Sequence, residues 1–351
     1  MIDPHVHLRD GAQANKETLL HGMGIGVLCG ITAFFDMPNT AVPLTTEVAI
    51  RERLIAGAEA AQKVSGNTPF YGVYGGVTAH AAQVLTLVKL YQELHPKMVG
   101  MKMFAGHSTG SMGVIGLAEQ RAVYQNLVAG GYRGVLAVHC EKESLLRPEL
   151  WNKHNPASHI LARPGQAEVS SVADQIALVR ETGFQGTLHI CHISTAESVA
   201  LVEQARIEGM RITCGVTPHH ALLNDSLAST EGNLLKMNPP LRSEADRKAL
   251  FTALCEGRVD WIESDHAPHT LADKAEGASG IPGFVGMLLL LKRLQQAQVA
   301  PAELEQLYGK RVCTVFDIDL PVTLPDVASM DRALTIARSA YPWDPFGSIT
   351  P

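Results

Sequence analysis

Eight short apolar runs recur along the chain, at residues 2–7, 31–37, 70–75, 100–105, 134–140, 187–193, 211–217 and 261–266. Each is followed by a turn and then by apolar positions at helical spacing, clearest over 47–63, 81–94, 167–181, 196–208 and 244–256. Eight predicted strands alternating with helices imply a parallel sheet with right-handed crossovers, most economically a closed α/β (β/α)8 TIM barrel. An open doubly wound sheet is the alternative, but no strand is followed by the glycine-rich dinucleotide fingerprint. Two segments break the alternation. Residues 105–116 (AGHSTGSMGVIG) are small, polar and glycine-rich, as expected of a mobile loop after the fourth strand. Beyond about Asp317 the chain carries five prolines and weak periodicity. It reads as a barrel over 1–316 with a C-terminal extension, 317–351, wrapped on it; a partly disordered tail is the other reading.

Composition narrows the class. A length of 351 residues would suggest two domains at about 150 residues each, although an α/β barrel runs to about 250 residues as one. With 46% hydrophobic and 18% charged residues a large core is available, and wholesale disorder is excluded. The longest apolar run, 285–291, is far short of the roughly 18 residues a membrane span needs. The N-terminus has neither a basic region nor an apolar signal segment. Six cysteines are widely spaced without a CxxC pair, several within apolar runs, which suits a reducing, cytoplasmic setting. A net charge of −6 argues against nucleic acid as a partner. Fifteen histidines are the unusual feature and direct attention to metal ligands.

The polar residues on the predicted strands carry the chemistry. Residues i and i+2 of a strand share a face, so His5 and His7 project together near the end of the first strand. Lys102 lies inside the apolar fourth strand, His139 ends the fifth, His192 the sixth and Asp265 the eighth. Barrel active sites lie at that C-terminal end. A lone buried histidine is usually a hydrogen-bonded core residue, and Asp265 alone would suit a helix N-cap. Six such residues on five strands are better explained by one metal site with nitrogen and oxygen donors, suited to zinc or a similar divalent ion. Lys102 is flanked by Met101, Met103 and Phe104. Burial there favours the neutral amine, which can add carbon dioxide to give a carbamate able to bridge two metals.

In this order the residues resemble those of the amidohydrolase superfamily. DPHVHLRD (3–10), MPNT (37–40), GMKMF (100–104), VHCE (138–141), HICHIST (189–195), TPHH (217–220), NPPLR (238–242) and SDHAPH (264–269) make the chain similar to the dihydroorotases, cyclic amidohydrolases of pyrimidine biosynthesis. The motifs span residues 3 to 269, about three quarters of the chain. The resemblance implies two divalent metal ions, most simply zinc. His5, His7 and Asp265 would hold the more buried ion and His139 and His192 the other, bridged by carboxylated Lys102. Arg9, Asn39 and His269 match positions that hold the substrate carboxylate, a task for which a guanidinium fork is suited. Asn238 and the backbone near Ala267 would contact the ring amides, and Thr109 or Ser111 of the 105–116 loop would donate to bound substrate.

The implied reaction is the reversible cyclisation of N-carbamoyl-L-aspartate to L-dihydroorotate. A hydroxide between the metals attacks the ring carbonyl, and Asp265 relays its proton to the leaving nitrogen. A hydantoinase, dihydropyrimidinase or allantoinase would share the metal ligands. An uncharged ring would, however, leave Arg9 buried and unpaired, at roughly 3–5 kcal/mol. A non-catalytic scaffold would be marked by a missing ligand, and none is missing. Superfamily members often begin with strands that complete a small β-sandwich. Here the first strand starts at Ile2, so no N-terminal β-sandwich half is expected. That leaves a barrel surface for a second copy of the chain or a partner enzyme of the same pathway to cover.

Overall fold

The computed structural model describes residues 1–66, 68–108, 110 and 112–349. All eight expected strands form: β1 (Ile2–Val6), β2 (Ala33–Asp36), β3 (Phe70–Gly76), β4 (Met98–Ala105), β5 (Val135–Cys140), β6 (Thr187–Ile190), β7 (Ile212–Val216) and β8 (Trp261–Ile262). They pair in parallel in sequence order. The barrel closes where Val6 makes a parallel bridge to His266, just beyond β8, and the His7 N–H donates to the His266 carbonyl over 2.7 Å. Helices Glu47–Lys63 and Ala81–Leu94 have the expected bounds, and the other three expected helices form within two residues of theirs. With helices outside and side chains within, strands such as β4 are buried along their whole length. That is why they read as near-continuous apolar runs rather than alternating ones.

The barrel interior is packed rather than hollow. Ile2, Phe35, Tyr74, Val99, Val135, Ala137 and Trp261 fill it, and Phe316 stops its lower end, edge-on to Phe35 and Tyr74. Above this packing, towards the mouth, the interior turns polar. There the sequence reading of β6 and β8 is corrected. Their ladders stop at Ile190 and Ile262, and His192 and Asp265 follow in the left-handed region, at φ 37° and 48°. Such backbone is costly for residues with a Cβ and is kept where surrounding contacts impose it.

The segment after Asp317 is also more regular than its periodicity suggested. Asp326 caps helix Val327–Ala337 by accepting from the Ser329 N–H. Met330, Ala333, Leu334 and Ala337 form a buried stripe at i, i+3, i+4 and i+7, facing helices Phe284–Gln296 and Leu19–Leu28. Phe346 is buried against Gly286, and the Tyr341 hydroxyl donates to Glu17 over 2.5 Å.

Candidate metal centre

Four imidazole rings form a continuous chain across the barrel mouth. Ring centroids are 5.3 Å apart for His7 and His5, 5.1 Å for His5 and His192, and 4.9 Å for His192 and His139. Asp265 closes one end: its Oδ1 lies 3.0 Å from His7 Nε2 and 3.4 Å from His5 Nε2. At the other end His139 Nδ1 faces His192 Nε2 at 3.2 Å. Lys102 is fully buried beside them, with Nζ 3.0 Å from Cys191 Sγ and 5.1 Å from the centre of the Phe104 ring. The six residues expected to converge do so.

Neighbouring acceptors select the nitrogen each ring can offer. His7 Nδ1 lies 2.7 Å from Asn39 Oδ1, and His139 Nε2 lies 2.9 Å from Glu141 Oε2. With those nitrogens donating, His7 Nε2 and His139 Nδ1 keep lone pairs for a metal. His5 Nε2 and His192 Nδ1 are buried without a hydrogen-bond partner, whereas His5 Nδ1, also without one, faces the Glu263 carboxylate at 3.4 Å. Orphaned polar atoms of this kind are costly in a finished core, and a cation supplies what they lack. Potential ligand atoms of His5, His7 and Asp265 all lie within 4.8 Å of one another. The donor set fits a divalent ion with nitrogen and oxygen ligands.

The charges are arranged to match. Burial alone would raise the Asp265 carboxyl, but the His7 hydrogen bond and the His5 ring hold it well below the ordinary carboxylate range. His192 is pushed well down by burial and by its neighbours His139 and His5. Burial opposes ionisation of Glu141, which Arg163 and His139 nevertheless keep charged.

Of the expected substrate contacts, Arg9, Asn238 and Ala267 line a small cavity together with His5, His7, His139, His192 and Asp265, and His269 stands behind Arg9 outside that lining. Arg9 is buried; its Nε donates to the Pro268 carbonyl over 3.3 Å, and among the described residues it makes no ion pair. His269 donates from Nε2 to the Ser279 carbonyl over 3.0 Å, with Arg9 Nη2 3.4 Å away. Burial and the charges of Arg9 and Lys16 lower its pKa to about 3, so the ring is neutral. Asn238 Oδ1 accepts from His159 and Ser279, which leaves its amide nitrogen for another partner. The Ala267 N–H is committed to the Ile281 carbonyl at 2.8 Å, so a ring contact there would use the Ala267 carbonyl. Gly280 permits this approach: a Cβ on it would meet that oxygen at 2.5 Å. Asn39 stands behind His7 rather than on the wall of this cavity. Thr109 and Ser111 lie outside the described residues.

Sequence reasoning overlooked several groups that bear on the site. Glu141 and Glu263 lie two residues from His139 and Asp265, and that i+2 spacing on a shared face was the available signal. Cys191, next to Lys102, was read only as a core thiol. His219 is fully buried near Asp265, with neither ring nitrogen hydrogen-bonded.

Known proteins place the chain. No family model matches it. Curated relatives named dihydroorotase include that of Pediococcus pentosaceus, 34% identical over 284 residues, covering 78% of this chain and 61% of the relative. That of Lactiplantibacillus plantarum is 36% identical over 277 residues, covering 78% and 60%. The chain thus spans about three fifths of the length of the curated relatives it matches. Among solved structures, the L-hydantoinase (dihydropyrimidinase) of Arthrobacter aurescens superposes with a TM-score of 0.78 at 24% identity, over 90% of this chain and 70% of that one. A D-hydantoinase from Thermus sp. gives 0.75 at 20% identity, with the same coverage. These structures share the barrel. By sequence the chain is similar to the dihydroorotases, and its barrel has the fold of the hydantoinases.

Proposed function

We propose that the chain is a metal-dependent dihydroorotase, interconverting N-carbamoyl-L-aspartate and L-dihydroorotate in pyrimidine biosynthesis. The observation that carries this reading is Arg9: a buried guanidinium without an ion-pair partner among the described residues, on the same cavity wall as His5, His7 and Asp265. A substrate carboxylate gives that charge its counterion, whereas a ring without one leaves it unpaired.

His5, His7 and Asp265 would hold one divalent ion and His139 and His192 a second, with a carboxylated Lys102 as their common ligand and zinc suited to the donor set. Such ions supply Lewis-acid polarisation of a carbonyl and an acidified water. The chain's own residues do the rest. Arg9 holds the carboxylate by its fork, and the neutral His269 beside it would turn its Nε2–H from the Ser279 carbonyl to the substrate without adding a charge that repels Arg9. The Asn238 amide and the Ala267 carbonyl orient the ring amide. Asp265, kept ionised by His7 and His5, takes a proton at Oδ1 or Oδ2 and returns it to the leaving nitrogen. Thr109 and Ser111 are assigned to the loop side of the substrate.

In this reading residues 1–316 are the catalytic barrel and 317–351 an extension braced on it. The partners are the small-molecule substrate and a second copy of the chain or a pathway enzyme, in the cytoplasm. Metal analysis combined with turnover decides the function. Bound metal with turnover of dihydroorotate supports it. Turnover of hydantoin alone assigns the other cyclic-amide chemistry, and bound metal with neither activity assigns a scaffold.

A further inference from the structure

Glu263 is a fully buried carboxylate one residue past β8 and two before Asp265, under the centre described above. Its Oε1 accepts from the His192 backbone N–H over 2.5 Å and lies 3.4 Å from His5 Nδ1. Its Oε2 accepts from Trp261 Nε1–H and lies near His189 Nε2, each at 3.1 Å. Four nitrogens thus converge on a group whose ionised form offers about four lone-pair sites and no donor. An amide of the same shape would turn its NH2 against one of those pairs. β7 makes room by omitting a side chain: a Cβ on Gly215 would lie 2.5 Å from Glu263 Cδ. One carboxylate therefore bears on β1, β6, β7 and β8 together.

We propose that Glu263 is a positioning residue of the metal centre. It faces His5 Nδ1 at 3.4 Å, an ion-pair distance rather than a hydrogen bond, which favours a proton on Nδ1 and leaves the Nε2 lone pair towards Asp265 and His7, and it fixes the left-handed main chain that aims His192. Both halves of the centre are then set by one acceptor. Acceptors of this kind fix the tautomer and orientation of histidine ligands. The inference rests on the metal-centre reading above. Its rival is that Glu263 is itself a ligand, because His5, Cys191 and Glu263 also offer ligand atoms within 4.8 Å of one another.

The test compares zinc-loaded wild type with Glu263→Gln by metal count, chelator competition and the absorption spectrum after cobalt substitution. The expected result is an unchanged number of ions, an affinity lower by roughly 10–100-fold and a shifted cobalt spectrum. Unchanged affinity and spectrum overturn the proposal. So does loss of one ion per chain, shared by Cys191→Ser, which makes Glu263 a ligand. If Glu263→Gln does not fold, Gly215→Ala displaces the carboxylate without removing it. The same weakening is expected there, and unaltered affinity overturns the role. A wild type that binds no divalent ion removes the metal centre and this proposal together. Intact metal binding without turnover of dihydroorotate removes the functional reading alone.

Discussion

Lys102 Nζ lies 3.0 Å from Cys191 Sγ, and both side chains are closed to solvent. Burial by itself would push the Cys191 thiol up; the Lys102 ammonium and the His5 ring bring it down to about 5. The lysine thus has a compensating partner beside the imidazole chain when it is charged. Its proposed carboxylated form would instead supply an anionic ligand to the centre.

Lys102→Ala tests that role. Metal content should fall and turnover should drop by at least ~100-fold, the scale of losing a group that orients ligands and charge at a metal. Short carboxylic acids added to the variant should restore part of both, by standing in for the missing anion. An unaltered metal content in Lys102→Ala counts directly against the bridge.

Asp265→Ala separates proton transfer from metal binding. The histidines and Lys102 should retain a substantial share of the metal, while turnover at saturating metal falls by roughly 10²–10⁴, the range of a positioned acid–base group. Near-normal turnover would leave Asp265 as a ligand only.

Much of this site could be read because a barrel converts strand position into site position. His5, His7, Lys102 and His139 were placed correctly by i, i+2 alternation and by the rule that barrel chemistry sits at C-terminal strand ends. His192 and Asp265 lie at the mouth as expected but beyond the strands rather than on them, since no periodicity marks the left-handed residues that follow β6 and β8. Helix Leu19–Leu28 was missed because LLHGMGIGVL is apolar or glycine almost throughout, leaving no polar face to define a period. Helix Val327–Ala337 has a clear stripe, Met330 to Ala337, obscured by the prolines on either side. Partnerships such as that of Glu263 with His5, 258 positions apart in sequence, depend on barrel closure and leave no local trace.

Arg9→Met should raise KM for dihydroorotate roughly 10–100-fold, corresponding to about 1.5–3 kcal/mol for a hydrogen bond to a charged group. Metal content should stay near normal, because Arg9 touches Pro268 and His269 rather than the imidazole chain. Steady-state kinetics with dihydroorotate, alongside metal analysis, check this. An unchanged KM would remove the carboxylate contact from Arg9.

Glu17 links the barrel mouth to the C-terminal segment and predicts an acid-sensitive brace. Its Oε1 lies 2.9 Å from His266 Nε2 and accepts from the Tyr341 hydroxyl, while Oε2 accepts from the Arg9 N–H over 3.3 Å. Burial opposes its charge, but the His266 ring, with hydrogen bonds from His21, His266 and Tyr341, lowers its pKa from 4.5 to about 2. A carboxyl depressed on folding contributes its full stability above the unfolded value and loses it as pH falls through the folded one. About 3 kcal/mol should therefore disappear between roughly pH 5 and pH 2. Glu17→Gln should melt earlier at neutral pH, show a shallower fall in Tm across that acid range, and expose the chain after Ala337 to proteolysis sooner than wild type. Thermal melts at stepped pH and timed protease digestion measure both effects. Identical acid limbs in the two proteins would mean that this carboxylate does not brace the segment.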